Sequence, residues 1–118
     1  MAALNTVADY IADARVLLQD QAAPYRYEDT ELVENLNLGM LEIRRLRSDV
    51  LFAYLNTTIP TFSAYSPATA VPIDVQYRMA LLYYICGQAQ LRDEETTQDA
   101  RATAFLQKFT AQLLTPEA

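Results

Sequence analysis

The side chains able to do chemistry in this sequence are few, and the most telling fact is a missing one. Its 118 residues contain no His, so the commonest general base and metal ligand is absent, and the inward Glu-x-x-His pattern of carboxylate-bridged metal bundles cannot be made. What remains is paired carboxylates, Asp9 with Asp13 and Glu31 with Glu34, each pair at a spacing that shares one helix face. Two such groups can divide acid and base roles or chelate a cation only with a third ligand or a desolvated cleft. Neither pair shows one, and the sequence reads both as solvated faces. Cys86, the sole cysteine, lies inside the run MALLYYICG without a base beside it, which makes it a small buried apolar group rather than a nucleophile. No internal disulfide is possible, and no Gly-rich phosphate loop occurs. No catalytic, cofactor-binding or metal site is expected, and an enzyme is the least favoured class.

Charge narrows the partners. Fifteen acidic residues against nine basic ones give a net charge of −6, a field that repels polyphosphate and argues against tight sequence-specific nucleic-acid binding. Arg44, Arg45 and Arg47 form the only basic cluster and read as a solvated helix face. Asp9 and Asp13 stand where a secretory signal needs a basic start and an unbroken apolar core. The run Met79 to Gly87 is far short of the roughly 20 residues of a spanning helix, so no membrane association is expected.

The elements that hold these groups read as helices. An apolar share of 52% and a charged share of 20% with two glycines are ordinary for a folded chain. One domain over residues 1–118 is predicted, burying roughly two-thirds of its unfolded surface. The first helix opens at Thr6, with Asp9 completing a short capping box, and carries Val7, Ile11, Ala14 and Leu18 on one face. Asp9, Asp13 and Arg15 point away from that face, and Pro24 breaks the segment. A second helix, capped by Asp29 or Thr30, carries the stripe Leu32, Leu36, Met40, Ile43 and Leu46, with Glu31 and Glu34 early and the arginines late, the order that suits the helix dipole. Gly39 inside it costs about 1 kcal/mol relative to Ala, so either a neighbouring helix approaches closely there or the glycine is merely tolerated.

A third helix starts near Asp74 and is apolar around most of its circumference through Met79, Leu81, Leu82, Tyr84, Ile85 and Leu91, the mark of a central element. A fourth follows the corner Arg92 to Thr97, with Ala102, Phe105, Phe109 and Leu113 as its buried row. Between the second and third helices, from about residue 50 to 72, Pro60, Pro67 and Pro72 forbid a continuous helix. Ile59, Phe62 and Tyr65 make this connection too apolar for a plain linker. They either fold back on the bundle or reach a neighbouring subunit. The predicted class is therefore all-α, a four-helix bundle-like domain with a long Pro-containing loop.

The ordering QYRMALLYYICGQAQLRDEETTQDARATAFLQKF, preceded by ADYIADARVLLQD and YRYEDTELVENLNLGMLEIRRLRSD, resembles the small head-to-tail connector proteins of tailed phages, also called adaptor or neck proteins. The likeness covers nearly all of the chain outside the loop from Val50 to Val71. It implies a homo-oligomeric ring, commonly dodecameric, in the neck of the virion between portal protein and tail or nozzle proteins, made in the bacterial host cytoplasm. DNA passes through the hole during ejection without sequence-specific binding, and no catalytic residue is carried over. An acidic lumen wall suits that role because repelled phosphates slide without sticking. Within this reading, Arg44, Arg45 and Arg47 are expected to face an acidic surface of the next copy, such as Glu94, Glu95 and Asp99. Ile59, Phe62 and Tyr65 are expected to contact a neighbouring copy, the portal or the next neck protein. The alternatives are another phage neck or tail-terminator ring protein, and a cellular helical oligomerisation module that closes into a small oligomer without any portal.

Overall fold

A computed structural model describes residues 4–20, 27–47, 61–63, 65–73, 75–92 and 98–114, with the side chains of 75, 92 and 98–101 outside the description. Four helices account for most of them: α1 (Val7–Leu18), α2 (Asp29–Leu46), α3 (Arg78–Arg92) and α4 (Gln98–Leu114), with a 3-10 turn at Val75–Tyr77 leading into α3. The fold is all-α. Among the described residues the only extended pairing is a single antiparallel bridge between Thr6 and Ala70.

α1 begins as its sequence predicts. Thr6 is extended and its hydroxyl accepts from the Asp9 amide, while the Asp9 carboxylate accepts from the amides of Thr6 and Asn5, both at 3.1 Å. The remaining orphan donors of the first turn go to the loop, with Val7 N–H donating to Thr69 O at 3.0 Å and Ala8 N–H to Pro67 O at 2.9 Å. Accepting two backbone amides holds the Asp9 carboxyl below its ordinary value of 3.8. A carboxyl depressed in the folded state stabilises the fold above its unfolded pKa. That contribution fades as the pH falls through the folded value. Removing the cap hydroxyl with Thr6→Ala is expected to cost about 1 kcal/mol in chemical denaturation at neutral pH, and a loss near zero would mean that the loop carbonyls alone hold the helix start. The helix ends at Gln19, which adopts a left-handed φ of 58°.

α2 departs from its predicted start. Its N-cap is Glu28, which makes no side-chain cap bond, and Asp29 lies inside the first turn. The Asp29 carboxylate is drawn instead to Arg15 of α1, because a guanidinium competes more strongly for a carboxylate than a backbone amide does. The stripe stands as read: Leu32, Leu36, Met40 and Ile43 are buried, and Leu46 packs at the margin.

α3 is the hub, contacting α1, α2 and α4. Leu81, Leu82, Ile85 and Cys86 are fully buried, while Met79 is half-buried and Leu91 faces outward, so the apolar girdle is incomplete at both ends. α4 lays Ala102, Phe105, Phe109 and Leu113 onto α3. Tyr84 meets Phe109 edge-on at 5.0 Å between ring centroids, and Tyr83 stacks with Phe105 at 6.3 Å. Both glycines mark crossings. A Cβ on Gly39 would lie 2.6 Å from Leu81 Cδ1, and one on Gly87 would lie 2.8 Å from Leu106, so α2 and α4 approach α3 where it or they carry no side chain.

Candidate functional site

Among the described residues, those singled out for assembly do not form one patch. Arg47 turns inward: its Nη1 donates to Tyr77 Oη at 3.1 Å and to Leu113 O at 2.9 Å, and its guanidinium lies 5.3 Å from the Tyr77 ring centroid. It clamps the end of α2 to the last turn of α4, where a cation satisfies an orphan carbonyl. Arg45 is exposed and pairs along its own helix with Glu42, donating from Nε at 3.2 Å. Arg44 is half-buried. Asp99 belongs to α4 with its side chain outside the description, and Glu94, Glu95 and Ile59 lie outside the described residues.

The loop divides as well. Phe62 is buried in the core of its own chain, and its backbone is held twice by Asn37 of α2, which donates to Phe62 O at 3.0 Å and accepts from Phe62 N–H at 2.8 Å. Its ring is thereby withdrawn from any neighbouring copy, a correction that follows from the side-chain amide of Asn37 matching an exposed peptide unit. Tyr65, 90% exposed, remains on the outside.

The reading that points Asp13 and Arg15 away from the buried face is overturned. Both are buried, along with Asp20. Arg15 Nη1 donates to Asp20 Oδ2 and to Tyr27 O, each at 2.9 Å, and its Nη2 reaches Asp29; Tyr27 N–H closes the circuit onto Asp20 Oδ2 at 3.0 Å. The cluster ties the end of α1 to the start of α2. Its sequence signal was faint, since Arg15 stands beside Ala14 on the inward stripe and its partners are 5 and 14 residues away.

Cys86 is buried, its thiol directed at Ala14 O at 3.9 Å. Burial pushes the Tyr10 phenol well above its ordinary range. Among the described residues no three His, Cys, Asp or Glu side chains gather as a metal site, and no helix is long and apolar enough to cross a membrane.

What the surface offers is a groove. Over α3, between the later half of α2 and α4, an open trough of about 510 Å³ is lined by Glu42, Arg45, Tyr84, Leu106, Phe109 and Leu114 among others. Burial, and then the negative charge of Glu42, raises the Tyr84 phenol above its usual pKa, so at neutral pH it stays a neutral floor. A second hollow of about 480 Å³ along α4, through Thr103, Gln107 and Ala111, shares Leu106 and Thr110 with the first. Its lining is mixed, with Leu46, Leu106, Phe109 and Leu114 beside Gln88, Thr110 and the Glu42–Arg45 ion pair. Comparison with protein-family models, with curated proteins and with solved structures found no match to the chain.

Proposed function

We propose that the chain is a virion structural protein, a head-to-tail connector subunit that forms a ring between portal and tail. The observation that carries the reading is the combination of a small acidic all-α domain with large apolar side chains on its outside: Leu38, Leu41, Tyr65, Leu91 and Leu114 all face outward. Leu38 and Leu41 adjoin on α2 and Leu114 borders the trough, and apolar side chains gathered in this way are what a subunit with neighbours carries. The order of helices that resembles the phage connectors supports the particular assembly, and the net charge of −6 suits a wall past which DNA slides. The chain acts mechanically, with no chemistry of its own.

The test is assembly on a portal. Purified chain mixed with candidate phage portal proteins is expected to appear by electron microscopy as a closed ring on the portal, coaxial with the channel. Virions that complete their necks without the chain, or a chain that stays off the portal at every concentration, would overturn the reading. A second reading, a helical module closing into a small oligomer without a portal, is favoured by the outer face of α2. Binding to a portal separates the two, since the module stays off it and a connector subunit joins it as a ring.

A further inference from the structure

Four residues of α2 stand in line on its outer face. At about 100° per residue, Glu34, Leu38, Leu41 and Arg45 fall within roughly 60° of one another. All four are exposed, with Leu38 at 44%, Leu41 at 48% and the Arg45 side chain at 68%. Gly39 points the other way, seating the helix on Leu81 and Tyr84. The order along the line is acid, leucine, leucine, base, and it is symmetric about the point midway between residues 39 and 40.

That symmetry names an occupant. A two-fold axis through the midpoint lays the helix against its own copy so that each acid meets a base and each leucine meets the other leucine. We infer that this face docks on the same face of a second copy, α2 against α2 and antiparallel, with Glu34 beside the partner's Arg45 and Leu38 beside the partner's Leu41. A parallel pairing sets Glu34 against the partner's Glu34 and Arg45 against the partner's Arg45. A slip of one turn sets a leucine against a carboxylate. Only the antiparallel register satisfies charge and apolar contact together. Glu42, on the flank of the line, holds the Arg45 guanidinium in place, which lowers the entropy lost when the partner's Glu34 arrives.

Two leucines per copy is a small apolar centre, so the contact belongs to the transient class below about 1,200 Å² of buried surface. The dimer is weak and reversible, and at −6 per copy its long-range repulsion is relieved by moderate salt. The inference rests on α2 alone and goes beyond the connector reading.

Sedimentation equilibrium of the isolated chain is expected to show a monomer–dimer equilibrium. Glu34→Arg or Arg45→Glu should each weaken it about tenfold or more, because each substitution acts twice across the axis. Joining the two in one chain should restore it, and mixing the two single variants should produce a heterodimer. All four positions are on the surface, so circular dichroism and melting should stay at the parent values, keeping any loss of association separate from loss of fold. In a second arm, Glu34→Cys mixed with Arg45→Cys should cross-link, whereas either alone should not; the native Cys86 is buried. A parent chain that is monomeric throughout, charge reversals without effect, a double variant that fails to recover, or efficient cross-linking of Glu34→Cys with itself would each overturn the inference. None of these measurements contains a portal, so failure of the dimer and failure of the connector reading are separately visible.

Discussion

Arg15→Ala lowers the stability of the fold by about 3–5 kcal/mol, the cost of leaving one member of a buried ion pair without the other. Against a typical total of about 5–15 kcal/mol this places the variant near the edge of folding. The expected reading is a large drop in the urea midpoint at an unchanged slope. Asp20 is the group stranded by the change, because it lies buried with Arg15 and shares its Oδ2 with the Tyr27 amide. Asp29 contributes far less: its side chain is 58% exposed, and water replaces the guanidinium there at little cost. Replacing both partners by apolar groups of similar volume, Arg15→Met with Asp20→Leu, should recover much of the loss, since the desolvation of two charges disappears with them. A drop of less than about 1 kcal/mol for Arg15→Ala would mean that water reaches the cluster freely.

Gly39→Val should cost about 3 kcal/mol, near the upper end of ordinary overpacking. The first added carbon already falls 2.6 Å from Leu81 Cδ1 and 2.9 Å from Tyr84 Cδ1. Leu81 is fully buried, so its methyl can give way only by pressing on other buried side chains. Gly39→Ala is the milder case, because about 1 kcal/mol of helix propensity offsets part of the overlap. Cutting Leu81 back to Ala should make room, so that Gly39→Val and Leu81→Ala together cost less than the sum of the two alone. Additive losses in that double-mutant cycle would show that the α2–α3 crossing is not the source of the strain.

Where the sequence was legible, the determining residues were neighbours along the chain. The Thr6 and Asp9 box closes within one turn, and the stripes Leu32 to Ile43 and Ala102 to Leu113 repeat at the helical period, so local spacing reports burial directly. Gly39 was legible only in part: a glycine in a clean stripe is either tolerated or marks a close approach, and the contacts with Leu81 and Tyr84 decide for the second. The Arg15 cluster was not, because a charged side chain goes inside only when partners elsewhere in the chain meet it, and no periodicity records that. The same limit explains Asp29, whose cap-like position was overruled by a cation from α1, and Arg47, whose place in a basic run hid its contacts with Tyr77 and Leu113 O. Phe62 was ambiguous in a proline-spaced loop until Asn37 fixed its backbone.

The amides at the start of α1 take their acceptors from Pro67 and Thr69, and this sets an order of events during folding. Those carbonyls arrive only after a stretch of roughly sixty residues has been brought round, an entropic toll that local contacts between α3 and α4 never meet. The first turn of α1 therefore completes its hydrogen bonds only once the distant loop has docked against it.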